Sequence, residues 1–388
     1  MALSPLIIPV FLPSFGCREQ CLFCNQKVAA NGLPSSSSVR NFIEASLAEI
    51  PYDKNDREKQ VAFYGGSFTA THREDQVSYL KEVQAFLASG LIDSIRISTR
   101  PDALDEETLS LLKEYGVKTV EVGVQSMVDE VLFLAKRGHC TEDAVSAASR
   151  LKRRGFEVGL QLMIGLPSDT CDRFLQTLDR VIELKPDFVR IHPTLVLKGA
   201  PLENLWREGR YSPLQLEEAV QWLRKGLLKL ENSSIPVARI GLQPTQELER
   251  DFLAGPYHPS FRQLVDSSIF FDMAVSLLRV SQKNGQALFQ CHPKEISNLR
   301  GQKNENIMRL KEYFKLSEIL IDGKQELPRG TLVLQTQGEE VSIHRKSLGF
   351  LKCVAGFLRG GRYRDRERSH DPFPPTPPYI RITYTAVR

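Results

Sequence analysis

The stretch "GCREQCLFCN", residues 16–25, sets Cys17, Cys21 and Cys24 in a C-x3-C-x2-C spacing, and only Cys140, Cys171, Cys291 and Cys353 occur elsewhere in the chain. Three thiols so close ask for a soft metal or for disulfides. A disulfide between near neighbours needs strained geometry, and three is an odd count. A structural zinc ion wants four ligands, and the first histidine after the loop is His72. Thiolates in a short loop suit an iron–sulfur cluster, and three of them on a 4Fe–4S cube leave one iron without a protein ligand. A zinc knuckle and plain buried cysteines are the alternatives. The four scattered cysteines read as small packing residues.

The 388 residues allow one large domain with an addition, or two domains. An apolar content of 41% and a charged content of 25% are those of an ordinary globular chain. The net charge of +4 is too small to identify a nucleic-acid partner. The opening "MALSPLIIPVFLPSFG" lacks a basic segment and carries three prolines, so no signal peptide is expected. No run of about 18 apolar residues suggests a membrane span. The expected setting is cytoplasmic, with reduced thiols.

Working outward from the cysteines, short apolar or β-branched runs end at Gly, Pro, Ser or Asp. They cover residues 6–13, 60–68, 94–102, 119–126, 157–167, 188–197 and 236–244. Between them lie helical periods. "REDQVSYLKEVQAFLASG" repeats apolar residues at Val77, Leu80, Val83 and Leu87, and "DEETLSLLKEYG" opens on acids and stops at Gly116. Strand then helix, six or seven times, predicts an α/β fold with a parallel sheet: a partial or full (β/α) barrel, with a doubly wound open sheet as runner-up. Chemistry in such barrels sits in loops after the strands, which is where the cysteines fall.

After about residue 245 the period breaks. A helix is expected in "SSIFFDMAVSLLRVSQKNG" and weaker strands at 330–335 and 379–384. The expected organisation is a core of residues 1–245 and an accessory region of 246–388 with a proline-rich, extended tail at "DPFPPTPPY". Residues 344–368 hold eight Lys or Arg against two acids. That concentration suits RNA phosphates or a solvated surface equally.

The C-x3-C-x2-C loop resembles the signature of the radical S-adenosylmethionine (SAM) superfamily. The resemblance implies a 4Fe–4S cluster on Cys17, Cys21 and Cys24 whose open iron chelates the methionine part of SAM. Reductive cleavage then yields a 5′-deoxyadenosyl radical that abstracts hydrogen from a substrate, with an electron donor of flavodoxin or ferredoxin type. "YGGSF" is similar to the family's Gly-Gly motif, which assigns Gly65, Gly66 and Ser67 to the methionine end, and Phe23 matches the aromatic position whose backbone contacts adenine in the family. Thr99, Arg100, Gln125 and Leu166 are the expected ribose and adenine surroundings. "STRPD", "VEVGVQSM", "KRGH", "MIGLPSDT" and "RIHPTLVLKGAPLENLWREGRYSP" resemble the radical domain of the Elongator catalytic subunit, and more loosely oxygen-independent coproporphyrinogen oxidases, over residues 5–245. This implies a tRNA base as substrate, with a porphyrin-like or other small molecule second and a non-catalytic iron–sulfur RNA-binding or assembly protein as the alternative. Arg137, His139 and His192 are the expected substrate-binding residues. Ser98 stands where the Elongator motif carries Glu, and no acetyl-CoA-binding pattern is legible after residue 245.

Overall fold

Seven strands alternate an apolar face with a polar one, and that alternation shapes the first part of the chain. They are β1 (Leu6–Phe11), β2 (Lys59–Tyr64), β3 (Ser94–Thr99), β4 (Val117–Gln125), β5 (Glu157–Ile164), β6 (Phe188–Pro193) and, after the two-residue β7 (Val196–Leu197), β8 (Val237–Ile240). The structure is a computed structural model that describes residues 5–17, 21–25, 34–50, 57–281, 285–336, 339–348 and 381–384. Its chain divides into two compact units, Met1–Leu216 with Ile235–Pro259, and Glu217–Ser234 with Ser260–Arg388.

In the first unit every neighbouring pair is parallel and the order is sequential, β1-β2-β3-β4-β5-β6-β8. A doubly wound sheet reverses its strand order at a switch point; this one does not, so the runner-up is excluded. Among the described residues β1 and β8 do not pair, and the seven strands form a curled half-barrel. The curl is visible in the contacts. Arg190 of β6 lies 5.2 Å from the centre of the Tyr64 ring of β2. A flat sheet would hold those strands about 19 Å apart.

Helices alternate with these strands: α1 (Ser36–Ala48), α2 (Arg73–Ala88), α3 (Glu106–Glu114), α4 (Asp129–Leu134), α5 (Thr141–Arg153), α6 (Cys171–Leu184) and α7 (Pro201–Arg207). Their ends follow local chemistry. Asp105 accepts the Thr108 N–H at the start of α3, and Gly90 turns at φ +72° two residues beyond α2. Beneath them Phe63, Ile97, Val122, Leu160 and Ile191 are fully or almost fully buried.

The opposite face of the sheet is polar and ion-paired. Glu121 is 2% exposed; its Oε1 accepts hydrogen bonds from Arg96 Nη1 (2.8 Å) and Tyr64 OH (3.0 Å), while Oε2 lies 3.3 Å from Arg190 Nη1. Arg96 also donates through Nε to Gln60 (2.9 Å) and lies over the Phe188 ring at 5.0 Å. A Cβ at Gly159 would fall 2.3 Å from that ring. The missing side chain there makes room for Phe188.

The second unit contains α8, which runs Leu216–Asn232 with its first residue in the first unit, and α10 (Phe261–Val280). The short α9 (Gln246–Asp251) and β9 (Phe252–Ala254) precede α10 in the first unit. Next come β10 (Gln286–Cys291), α11 (Ile296–Arg300), α12 (Glu305–Phe314), β11 (Glu318–Gly323), β12 (Thr331–Thr336), β13 (Glu339–His344) and β14 (Arg381–Tyr384). The sheet order is β11-β10-β12-β13-β14, with only β10 and β11 parallel. The expected helix at 267–285 is α10, which starts earlier, and the two expected strands are β12 and β14. Arg345, from the basic stretch 344–368, is bound by Glu231 (3.0 Å) and Asp266 (2.8 Å). Residues 349–368, the proline-rich 371–379 and Cys353 lie outside the described residues. Cys291 is fully buried, as expected of a packing residue. Cys140 is not a packing residue: it is exposed at the start of α5, where its backbone N–H and its thiol both donate to Asp143.

Removing Glu121 strands two guanidiniums in the interior. Glu121→Leu is expected to lower the unfolding free energy by about 3–5 kcal/mol, read from urea denaturation. A loss below about 1 kcal/mol would mean the pairs do not hold the sheet together.

Candidate active site

The loop that follows β1 turns through Ser14 at φ +55° and Gly16 at φ +68°, then delivers Cys17. It is clasped backbone to backbone by the loop after β2. Leu12 N–H donates to Tyr64 O (2.7 Å), Ser14 N–H to Gly65 O (2.9 Å) and Ser67 N–H to Phe15 O (2.6 Å). A Cβ at Gly66 would lie 2.4 Å from Phe15 O, and one at Gly16 would lie 2.3 Å from Ser67 O. Gly66 is therefore taken up by the approach of the two chains. Gly65, at φ +95°, is exposed, and Ser67 Oγ stands 3.8 Å from Cys17 Sγ.

Further along, Leu22 N–H donates to Ala135 O (3.1 Å), Leu22 O accepts from Leu202 N–H (2.8 Å), and Asn25 Nδ2 donates to Lys198 O (2.8 Å). These bonds tie the cysteine loop to the segments around α4 and α7. Leu22 packs with Val196, Leu202 and Tyr211, whose hydroxyl donates to Gly165 O (2.6 Å). The long "PLENLWREGRY" stretch thus braces the cysteine loop. Phe23 belongs to the packing around Leu22 and to a second apolar cluster of Val131, Ala135, Met163 and Leu166.

Arg137 sits at the centre. Its Nη1 donates to Cys21 Sγ (3.1 Å), its Nη2 to Gly123 O (2.7 Å), and its guanidinium carbon lies 6.0 Å from the centre of the Phe23 ring. Arg100 fixes the Arg137 backbone, donating through Nη2 to its carbonyl (3.0 Å) and through Nε to Asp102 (2.5 Å). Gln125 ends β4 at φ +66°, an uncommon conformation for a residue with a side chain, beside a break in the strand register. His139 Nε2 is 3.3 Å from Val124 O; burial, then the Arg137 charge, hold its imidazole down at about 4, so it is neutral at pH 7. Burial, with Cys21 and Cys17 alongside, pushes the Cys24 thiol up to about 11 against the pull of Arg137.

The structure thus gathers Cys17, Cys21, Cys24, Phe23, Ser67, Arg100, Gln125, Arg137, His139 and Leu166 around one loop. Thr99 is engaged elsewhere: its hydroxyl is 2.6 Å from that of Thr69, which donates to Ala103 O. His192 lies on the polar face of β6, in register with Met163 of the cluster around Phe23. Sequence reading missed Glu121, Tyr211, Thr69 and Asp169. Period-two alternation marks Glu121 as inward-facing, but no local signal marks the other three.

The residues fit a cluster with a bound cofactor. Gln125 Oε1, Arg137 Nε and His139 Nδ1 are buried without a hydrogen-bond partner, a costly arrangement that a polar ligand relieves. The donor set is three thiols with a guanidinium against one of them. Among the described residues no three His, Cys, Asp or Glu side chains converge on a single ion. A structural zinc ion wants four ligands, whereas a 4Fe–4S cube takes three thiolates and leaves one iron open.

Residues 11–181 match the Radical SAM superfamily and residues 186–270 the Radical_SAM C-terminal domain. Over 128 residues the chain is 37% identical to the tRNA uridine(34) acetyltransferase of Methanocaldococcus jannaschii, covering 32% of this chain and 24% of that protein. Over 207 residues it is 30% identical to protein YhcC of Escherichia coli, covering 52% and 64%. The chain thus spans less than two thirds of either relative. The archaeal Elp3 structure from Methanocaldococcus infernus shares the fold, with a TM-score of 0.56 at 23% identity over 69% of this chain and 63% of that one. No helix among the described residues is long and apolar enough to cross a membrane.

Two outcomes test this geometry. Gln125→Met removes an unpaired buried acceptor, so the cluster-free protein is expected to melt no lower than wild type, while the cluster-loaded protein binds SAM about tenfold more weakly. Unchanged SAM affinity in equilibrium dialysis would contradict the assignment. The second concerns Asp169, which accepts from Gly165 N–H (2.9 Å) and Thr170 N–H (2.9 Å) and shapes the turn carrying Leu166. Burial pushes its carboxyl up to about 6. Its folded value is raised, so the stability it contributes is present below about pH 4 and lost as pH rises through about 6. Wild type is expected to lose stability relative to Asp169→Asn across that window and to run parallel above it.

Proposed function

The chain belongs to the radical SAM superfamily of enzymes, and from that premise we propose that it modifies a base of tRNA. Supporting this reading is the 37% identity to a tRNA uridine(34) acetyltransferase, together with 36% identity over 132 residues to Elongator complex protein 3 of Mus musculus. The observation that carries it is the brace around the cysteine loop. The "GAPLENLWREGRY" stretch on which the resemblance to the Elongator radical domain leans supplies Leu202 and Tyr211, the residues packed on Leu22.

In this reading Cys17, Cys21 and Cys24 hold the 4Fe–4S cluster. Gly65 and Ser67 line the methionine end, with Gly66 setting the loop spacing. Phe23 and Leu166 present an apolar surface to adenine, and Gln125, Arg137 and His139 offer their unpartnered atoms to the polar groups of SAM. Arg100 positions Arg137, and Thr99 steadies the end of β3 through Thr69. When bound, the cluster and SAM supply a carbon-centred radical that abstracts hydrogen, given one electron from a donor of flavodoxin or ferredoxin type. The protein's part is to orient, to exclude water and to keep a neutral His139 beside the cation.

The test is a comparison of tRNA nucleosides, by mass spectrometry, from cells with and without the gene. Loss of one modified nucleoside, restored by the wild-type gene and not by Cys21→Ala, is the expected outcome. An unchanged nucleoside profile would overturn the tRNA reading.

A further inference from the structure

The polar face of the half-barrel holds more positive charge than its contacts neutralise. Arg190 and Arg239 are register partners on β6 and β8, so their side chains leave the same face about 4.8 Å apart at the backbone. Like charges directly opposite on neighbouring strands repel. Glu121 is the carboxylate bonded into this network, and it already serves Arg96 and Tyr64 before it meets Arg190 at 3.3 Å. Arg239 donates to the neutral Gln243 amide oxygen (2.6 Å). Arg96 and Arg190 thus meet Glu121, with Glu157 acting on Arg96 as well, while Arg239 is bonded to no carboxylate in this network; Arg190 Nε is buried with no hydrogen-bond partner.

His192 follows Arg190 by two positions on the same face. Among the described residues no hydrogen bond holds its ring. Burial, then Arg190 and Arg239, press it down to about 4, leaving a neutral imidazole with one N–H to give. Tyr64 closes on Arg190 across the curl, its ring centre 5.2 Å from the guanidinium carbon and 6.3 Å from the centre of the Phe11 ring, so aromatic surface borders the cationic group. Phe11 is 59% exposed although its neighbours in β1 are largely covered.

We propose that Arg190, Arg239 and His192 form an oxyanion subsite inside the half-barrel that receives the phosphate or carboxylate of the substrate. Two planar forks side by side suit an oxyanion's paired oxygens, and the imidazole N–H adds a third donor. The nucleotide form of this inference rests on the tRNA reading above: a base lies toward Phe11 and Tyr64 while its phosphate meets the arginines.

The experiment is equilibrium dialysis of the cluster-loaded protein against uridine 5′-monophosphate, uridine and succinate. Variants are Arg239→Gln, which spares the bonds to Glu121, and Arg239→Lys, which keeps the charge; circular dichroism checks their fold. The expected result is at least tenfold tighter binding of the monophosphate than of uridine, lost in Arg239→Gln and partly kept in Arg239→Lys. Succinate bound by wild type and released by Arg239→Gln, with no monophosphate binding, would support the subsite while removing the tRNA reading. Monophosphate bound equally by wild type and Arg239→Gln would overturn the subsite and leave the tRNA reading standing. Equal binding of monophosphate and uridine, with no succinate bound, would also overturn the subsite.

Discussion

The closest constraint in the molecule is a main-chain contact between two loops. The turn before Cys17 and the turn after β2 lie against each other with no room for a side chain at Gly16 or Gly66. Three backbone hydrogen bonds bind β1 and its loop to the end of β2 and its loop. Because both loops leave adjacent parallel strands, the sheet itself sets the distance between the first thiol and Ser67. The rest of the site is hung on that clasp: Leu22 is bonded from both sides, and Arg137 reaches Cys21 only because Gly123 and Arg100 hold it at either end. Rigid first contacts of this kind let a site keep its geometry while several buried polar atoms wait for a ligand.

A second constraint is the charge buried in the half-barrel. Burying ions is costly unless they are paired, and here Glu121 links β2, β3, β4 and β6 through Tyr64, Arg96 and Arg190. The same contacts that curl the sheet leave guanidinium capacity unspent on its inner face. The apolar face under the helices supplies the core, and the polar face carries the ion-paired network. Fold and recognition thus draw on opposite sides of the same seven strands.

Much of this was legible in the residues. Apolar and β-branched runs ending at Gly, Pro, Ser or Asp placed the seven strands, and helical periods placed α2, α3, α5 and α6, while α1, α4, α7 and α8 were not foreseen. The three-cysteine spacing marked the loop. What stayed hidden was long-range. Gly66 looks like a ligand-facing glycine in sequence, and the close approach of Phe15 gives it a packing role that the sequence does not show. Thr99 looks available until Thr69, 30 positions earlier, is seen to hold it. Arg137 reads as a substrate group, whereas its first partner is a thiol 116 positions away. In the second unit, β10, β11 and β13 were not foreseen; each is only six residues long, and the βα period that marked the earlier strands is absent there.

The account turns on three thiolates carrying a cube with one iron left free. Electron paramagnetic resonance of the anaerobically reconstituted and reduced protein, with and without SAM, tests that directly. Four irons per chain and a reduced-cluster signal whose g-values shift when SAM is added are the predicted result. A single tightly held zinc ion, or a cluster signal indifferent to SAM, would contradict it.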